Sequence, residues 1–133
     1  MALFQTPNAQ IVIDGVQKIA YKRIYFISSH IHKYEGGGLM LCPDAKFDDG
    51  KLDICVIGNI SKIKLLFLLP TAFRGKYIKY KAVDIIRCNT ISIQIPIALR
   101  VHADGESVGK ESSIIVKSLH DKITIITGIF KTL

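Results

Sequence analysis

The sequence has few cysteines, and their spacing excludes the usual cysteine-based frameworks. Cys42, Cys55 and Cys88 are odd in number and far apart, and no CxxC pair occurs. A disulfide scaffold or a cysteine-rich zinc site needs paired or closely spaced thiols. We therefore expect three free, buried thiols in a reducing, cytoplasmic setting.

The sequence also lacks a long apolar run. The longest one near the middle, Leu65 to Leu69, falls far short of the ~20 residues that a bilayer span needs. The segment Met1 to Ala9 has no basic cap followed by an apolar stretch, so it does not look like a signal peptide. These absences predict a cytoplasmic protein whose contact with a membrane, if any, is peripheral.

The composition is that of one folded, strand-rich domain. The chain has 133 residues, about one domain, and 49% of them are hydrophobic, too many for a disordered chain. Isoleucine, valine, tyrosine and phenylalanine pack well on a pleated surface. The net charge of +7 favours anionic partners such as nucleic acid, phosphoryl groups or an anionic membrane face. The lysines are spread along the chain, so a basic but solvated surface is the alternative.

Short apolar runs separated by turn residues indicate a mainly β chain. Three of the turns contain an Asp-Gly pair, Asp14-Gly15, Asp49-Gly50 and Asp104-Gly105, and such a pair favours a tight primed turn between strands. The expected architecture is an antiparallel β-sandwich or flattened barrel with one or two short helices. The predicted strands are Gln10 to Ile13, Val16 to Ala20, Arg23 to Ser28, Leu39 to Cys42, Leu52 to Ile57, Tyr77 to Val83, Ile85 to Cys88, Ser92 to Ile95, Leu99 to Ala103, Ser113 to Val116 and Lys122 to Thr127.

One helix is predicted to begin after Ser61, whose hydroxyl can cap its first turn. Pro70 should kink or end this helix, and Gly75 is a suitable final stop. Ile63, Leu66 and Phe67, followed by Leu69 or Pro70, lie at helical spacing, and we expect this face to pack on the sheet. The alternative is a basic amphipathic helix at a membrane surface, since Lys62 and Lys64 lie elsewhere on the wheel.

Three short segments contain residues that could carry chemistry. Residues 46–53 include Asp48, Asp49 and Asp53, and such a turn can bring oxygen ligands together around Mg²⁺. The spacing alone favours an ordinary solvated acidic turn. Asp104 and Glu106 flank a tight turn, where a carboxylate could accept a proton from a substrate hydroxyl or simply face water.

The third segment is the run of three glycines, Gly36, Gly37 and Gly38. Their backbone N–H groups could cradle a phosphate, and we keep them as a candidate cofactor-binding loop. They lack the lysine and hydroxyl residue of a P-loop, so a tight crossing of two backbones is the alternative. His30 and His32 would point to the same side of a strand, but they match no familiar zinc spacing.

Five segments in fixed order resemble one protein family more specifically than any of them does alone. They are Tyr34-Glu35-Gly36-Gly37-Gly38, Cys42-Pro43-Asp44-Ala45-Lys46, Asp48-Asp49-Gly50-Lys51-Leu52-Asp53, Ser61-Lys62 and Asp104-Gly105-Glu106. This series resembles the C-terminal domain of the diacylglycerol kinase and sphingosine kinase family of lipid kinases, and is closest to its soluble bacterial members. The likeness runs from about Gln10 to about Ile126.

The resemblance implies an enzyme of two domains, in which ATP and a lipid such as diacylglycerol meet between an α/β nucleotide-binding domain and a β-sandwich. It implies that Glu106 is the base that deprotonates the lipid hydroxyl and that Asp104 shapes the turn. It also implies a structural Mg²⁺ held by the Asp49 side chain and the carbonyls of Lys46 and Lys51. We expect the Glu106 turn and the Asp49 loop to come together along one rim of the sandwich.

Two departures from the family pattern limit the activity that we expect of this chain. The phosphate-binding signature Gly-Gly-Asp-Gly-Thr belongs to the first domain of the family and is absent here, and Met1 to Ala9 cannot replace it. Many members carry an asparagine shortly before the three glycines, whereas this chain has His30-Ile31-His32. We therefore expect a single domain over residues 1–133, without the nucleotide-binding domain and inactive alone, either as a fragment or as a natural short protein.

The expected partners follow from these readings. They are the N-terminal nucleotide-binding domain, a lipid substrate such as diacylglycerol, and a second copy if apolar surface is exposed. The main alternative is a non-catalytic module that binds anionic lipid or an acidic partner. Nucleic acid is not expected, although Tyr77 and Tyr80 lie among lysines that could support base stacking.

Overall fold

The computed structural model of the chain describes residues 6–119, and within them two antiparallel sheets pack face to face. The first sheet has the order β2-β1-β8-β9 and the second the order β3-β6-β7, with a small β4-β5 hairpin beside them. The strands are β1 (Ala9–Ile13), β2 (Gln17–Tyr21), β3 (Ile24–His30), β4 (Tyr34–Glu35), β5 (Leu39–Met40), β6 (Leu52–Gly58), β7 (Val83–Cys88), β8 (Thr90–Ala103) and β9 (Glu106–Lys117). Neither sheet closes into a barrel within this range, so the mainly β, sandwich-like prediction is confirmed.

Strand β6 is the centre of the fold because both of its faces are covered. All seven of its residues are buried. Leu52, Ile54 and Val56 join Ile11 and Ile91 of the first sheet in one core. The alternate residues, such as Cys55 and Ile57, pack on the other side in a second core with the helix. This two-sided burial explains why the strand reads as a continuous apolar run.

Helix α1 (Lys62–Ala72) begins as predicted, with the Ser61 hydroxyl accepting a hydrogen bond from the Lys64 N–H at 3.4 Å. Its predicted packing face is wrong. Leu68 and Ala72 are buried in the second core and Leu65 is partly buried, whereas Ile63 and Phe67 face outward. The helix is apolar on both sides, so the spacing 65–68–72 competes with the spacing 63–67, and the sequence could not decide between them.

The prediction of a strand from Tyr77 to Val83 is also wrong for all but its last residue, since β7 begins at Val83. A 3₁₀ turn occupies Lys76–Lys79, after Gly75 adopts a positive φ of 63°. Tyr77 is fully buried, and its hydroxyl donates a hydrogen bond to the Leu41 carbonyl. A buried, hydrogen-bonded tyrosine holds the chain in the turn and cannot stack on a nucleic-acid base.

The two strands predicted from Ser92 to Ile95 and from Leu99 to Ala103 are one strand, β8. Its pairing with β9 is irregular between Gln94 and Leu99, where Pro96 cannot donate to the ladder. In the first part of β8, Ile91 and Ile93 are buried, whereas residues 96–98 and 102–103, together with most of residues 106–113 of β9, are exposed. We call residues 95–113 the distal hairpin. The predicted strand Lys122 to Thr127 lies outside the described residues.

The three cysteines are buried and free, as predicted. Burial is the main reason that the pKa of Cys42 rises to about 12 and those of Cys55 and Cys88 to about 11. Thiols this hard to ionise are poor nucleophiles at neutral pH. No helix within residues 6–119 has the length and apolarity to cross a membrane.

Candidate functional site

The acidic loop of residues 44–51 is folded by its own side chains. The Asp49 carboxylate accepts a hydrogen bond from the Lys51 N–H at 2.9 Å, which closes a tight turn over Gly50. Gly50 has a positive φ of 67°, a conformation that glycine adopts at little cost. The turn leads directly into β6, so the Asp49 carboxylate lies near the N-terminal end of the central strand of the second sheet.

Arg87 fastens this loop to the sheet. It lies opposite Asp53 in the β6–β7 register, and its Nε is 3.2 Å from Asp53 Oδ1. Its Nη2 lies 2.8 Å from the Asp44 carbonyl and 3.3 Å from Asp49 Oδ2. Asp53 is only 2% exposed, and this carboxylate is the main reason that the pKa of Arg87 is raised. One guanidinium therefore joins two carboxylates and a carbonyl.

A second set of contacts ties the same loop to the first sheet. Lys51 Nζ donates to Asn89 Oδ1 at 2.9 Å. Asp14 Oδ1, in the β1–β2 turn, accepts hydrogen bonds of 2.8 Å from the N–H groups of Asn89 and Thr90. The acidic loop thus lies at the end of the sandwich where β8 begins.

The residues that the family resemblance implies for Mg²⁺ are chemically suited to a hard cation. The Asp49 carboxylate and the carbonyls of Lys46 and Lys51 are all oxygen donors, and the turn brings Asp49 against the Lys51 backbone. Both Asp49 oxygens already have partners, the Lys51 N–H at Oδ1 and Arg87 at Oδ2, so a metal ion would have to share one of these oxygens or displace the guanidinium. Within residues 6–119, no cluster of three or more His, Cys, Asp or Glu side chains is placed to hold a metal.

The three glycines form a short 3₁₀ turn between β4 and β5, and all three are exposed. Gly37 and Gly38 have positive φ angles of 72° and 83°. A Cβ added at Gly36, Gly37 or Gly38 would meet no atom within 4 Å. The alternative of a tight backbone crossing is therefore wrong, because the glycines serve the local turn. Their role as a cofactor-binding loop stays a prediction.

His30 lies beside this turn and is nearly buried. It is 7% exposed, shares a hydrogen bond of 2.6 Å with Ser28 and lies 3.5 Å from the Glu35 carboxylate. Burial lowers the pKa of His30, and the nearby Glu35 offsets part of that effect. Strand β3 ends at His30, so His32 lies beyond the strand that was expected to place both histidines on one side, and its ring is 6.4 Å away and tilted.

The predicted catalytic turn lies at the tip of the distal hairpin. Asp104 and Gly105 have positive φ angles of 49° and 86°, as a primed two-residue turn requires. Glu106 begins β9 opposite Ala103, and its carboxylate is exposed. Among the described residues the Glu106 carboxylate makes no hydrogen bond or ion pair, so it is accessible to another domain or to a substrate.

The acidic loop and the catalytic turn lie at opposite ends of β8. The loop contacts Asn89, next to the first residue of the strand, and the turn follows its last residue. A straight strand of 14 residues would span roughly 40 Å at about 3.3 Å per residue. The expectation that the two acidic bends share one rim is therefore not met, because β8 is one long strand and not two short ones.

The sequence did not predict that Arg87 contacts the acidic loop or that Asp53 is buried. Nothing in the local sequence pairs these residues, which are 34 positions apart. Only the β6–β7 register brings them together. The available signal was a charged residue at the end of each of two apolar runs.

Comparisons with known proteins agree with this architecture. A family model described as the YegS C-terminal NAD kinase beta sandwich-like domain matches residues 1–126. A diacylglycerol kinase from Mycobacterium tuberculosis is 35% identical over 97 residues, which cover 73% of this chain and 31% of that protein. A diacylglycerol kinase from Staphylococcus haemolyticus is 31% identical over 70 residues, which cover 53% of this chain and 21% of that protein.

A solved structure supports the fold. The crystal structure of a diacylglycerol kinase from Bacillus anthracis superposes with a TM-score of 0.61 and 24% identity, over 84% of this chain and 39% of that chain. At this identity the likeness concerns the fold alone. The chain spans at most about a third of the length of these curated relatives.

Proposed function

Because this chain belongs to the YegS C-terminal, NAD-kinase-like β-sandwich family, we propose that it is the lipid-substrate and catalytic-base domain of a diacylglycerol-kinase-like lipid kinase. The observation that carries the proposal is the Asp104-Gly105-Glu106 turn at the tip of an exposed hairpin. An acid in that position can enter a cleft that another domain completes.

The proposed reaction is transfer of the γ-phosphoryl group of ATP to a lipid hydroxyl. Glu106 accepts the hydroxyl proton while the lipid oxygen forms a bond to the γ-phosphorus, and the bond to the β,γ-bridging oxygen breaks to release ADP. Asp104 acts as a positioning residue by holding the left-handed turn that aims Glu106. The enzyme would need a nucleotide-binding domain to hold ATP, and this 133-residue chain contains no Gly-Gly-Asp-Gly-Thr sequence.

The exposure of the distal hairpin supports a two-domain arrangement. Two isolated strands are marginally stable in water. Residues 96–98, 102–103 and 106–108 are exposed, and Val108 is 59% exposed. An adjoining nucleotide-binding domain would cover this surface and place the γ-phosphate before Glu106.

Magnesium has a structural role in the proposal. Asp49 with the carbonyls of Lys46 and Lys51 would hold it, and the ion would neutralise and order the acidic loop. Since that loop lies at the far end of β8 from Glu106, the ion takes no part in the proton transfer.

The test uses the chain alone and the chain joined to a nucleotide-binding domain of the same family. We expect no phosphorylation of diacylglycerol by the chain alone, and turnover by the joined protein. Glu106→Gln in the joined protein should lower kcat at least about 100-fold, the usual contribution of a general base, with unchanged circular dichroism.

Glu111→Gln is the matched control, because Glu111 is an exposed acid on the same strand, opposite Leu99. It should leave kcat within twofold. Turnover by the 133-residue chain alone, or full activity of Glu106→Gln, would refute the proposed assignment.

A further inference from the structure

The outward face of α1 carries large apolar side chains that nothing in the described chain covers. Ile63 is 72% exposed, Leu66 66% and Phe67 73%, and Phe73 just beyond the helix is 57% exposed. Exposed apolar groups are common singly, but three of them on one side of a helix, with a fourth just after it, form a patch that water solvates poorly. This face is the one that the helical spacing of its apolar residues predicts to pack on the sheet.

The same part of the chain is strongly and uniformly basic. Between Asp53 and Asp84 there is no acidic residue. The basic residues of that interval are all exposed, and none of them forms an ion pair among residues 6–119: Lys62, Lys64, Arg74, Lys76, Lys79 and Lys81. The patch is therefore surrounded by cations whose charge is not balanced locally.

A groove of about 700 Å³ opens beside the patch, between α1 and the segment leading into β7. Arg23, Lys64 and Lys81 line it together with the aromatic rings of Phe67 and Tyr80. Arg23 is held there by a positive φ of 52° and by its N–H, which donates to Asn8 at 3.3 Å. Three cations around an open groove fit a phosphate group, and the rings fit the apolar region next to it.

We propose that this surface docks on an anionic phospholipid bilayer. The helix lies in the plane of the interface, with Ile63, Leu66 and Phe67 inserted below the headgroups. Arg23, Lys64 and Lys81 surround a lipid phosphate in the groove, and the remaining cations contact neighbouring headgroups. Docking requires no turnover, so it is independent of the role of Glu106.

Charge decides between a membrane and a second copy of this chain. A symmetric dimer through this face would oppose the same cations across the interface without any acid to pair them. An anionic bilayer supplies both the negative charge and the apolar interior that this face needs. The exposed aromatic side chains are also of the type that settles at a membrane interface.

The test measures co-sedimentation of the 133-residue chain with phosphatidylcholine vesicles, with and without 30% phosphatidylglycerol. We expect binding only to the anionic vesicles, weakened by salt. Lys64→Gln with Lys81→Gln should lower the partition coefficient about 25-fold, at about fivefold per lysine. Phe67→Ser with Leu66→Ser should lower it at least about tenfold.

The matched control is Ile115→Ser with Lys117→Gln on β9, which removes an apolar and a basic side chain of similar exposure from another surface. It should change the partition coefficient less than twofold. Equal binding to both kinds of vesicle, or an equal effect of the control, would overturn the proposal.

A tryptophan probe tests the orientation directly, since the chain has no tryptophan. In the Phe67→Trp variant, the tryptophan emission should shift to the blue when anionic vesicles are added. Brominated lipid should quench that emission. Two results would reject a membrane role. One is a concentration-dependent dimer that Phe67→Ser abolishes, without vesicle binding. The other is a blue shift caused by an added nucleotide-binding domain and not by vesicles.

Discussion

The Nε atom of Arg87 lies 3.2 Å from Oδ1 of Asp53, and this ion pair joins the acidic loop to the centre of the second sheet. The Asp53 side chain is almost fully buried, whereas 41% of the Arg87 side chain is exposed. The same guanidinium reaches the Asp44 carbonyl and Asp49. The Arg87 guanidinium therefore holds the loop to the second sheet, in addition to the contact that Lys51 makes with Asn89.

We expect Arg87→Gln to lower the free energy of unfolding by about 1–3 kcal/mol. The substitution leaves the Asp53 carboxylate buried without its charged partner, and the exposure of Arg87 keeps the loss below that of a fully buried pair. Urea denaturation followed by circular dichroism measures the change. Arg100→Gln, at an exposed position on β8, should change it by less than about 0.5 kcal/mol.

Substitutions at Arg87 and Asp49 should change the stabilisation by magnesium in opposite directions. The two cations compete for Asp49 Oδ2, so Arg87→Gln should increase the rise in Tm caused by millimolar Mg²⁺ relative to the unmodified chain. Asp49→Asn should abolish the rise. Thermal unfolding with and without chelator measures both. A rise that persists in Asp49→Asn would place the ion elsewhere.

Stability should fall with acidification because of His30. Its folded pKa is below the ordinary value of 6.5, so below about pH 6.5 the unfolded state binds a proton that the folded state does not. The free energy of unfolding should therefore drop as pH falls through that window, by at most about 1.4 kcal/mol per pH unit, until the folded histidine also titrates.

Denaturation of His30→Gln between pH 5 and 8 tests this. The substitution should flatten the slope below pH 6.5, whereas His102→Gln, at an exposed position on β8, should retain it. An unchanged slope in His30→Gln would assign the pH dependence to another group.

Gly75→Ala should be one of the more damaging glycine substitutions. Gly75 has a φ of +63°, and an added Cβ would lie 2.9 Å from both Met40 Sδ and Pro43 Cγ. Backbone strain and this overlap together should lower the free energy of unfolding by about 2–4 kcal/mol. Gly15 has a φ of +73°, but an added Cβ would meet no atom within 4 Å. Gly15→Ala should therefore lower the free energy of unfolding by only about 1 kcal/mol. Equal losses would show that the overlap relaxes freely.

The sequence predicted the features that depend on local chemistry. The Asp14-Gly15 turn, the Ser61 cap and the buried strand β6 follow from residue types at short range, and they are confirmed. The series of motifs from Tyr34 to Glu106 also predicted the family, which the comparisons confirm.

The errors arose where long-range packing decides. The side of α1 that faces the core depends on the sheet beneath it, because both sides are apolar. The turn at Tyr77 depends on the Leu41 carbonyl, 36 positions away. The separation of Glu106 from the Asp49 loop depends on β8 running through Pro96 as one strand, although a proline usually predicts a break.

The distal hairpin has a consequence for how such an enzyme would be assembled. One end of β8 is anchored by the buried side chains of Ile91 and Ile93, while among residues 6–119 the other end is supported only by its pairing with β9. In the proposed enzyme the orientation of Glu106 would thus be completed only when the neighbouring domain docks. Formation of the catalytic geometry and association of the two domains would then be a single step. Without its partner domain, this domain would not hold Glu106 in position to deprotonate other hydroxyl compounds.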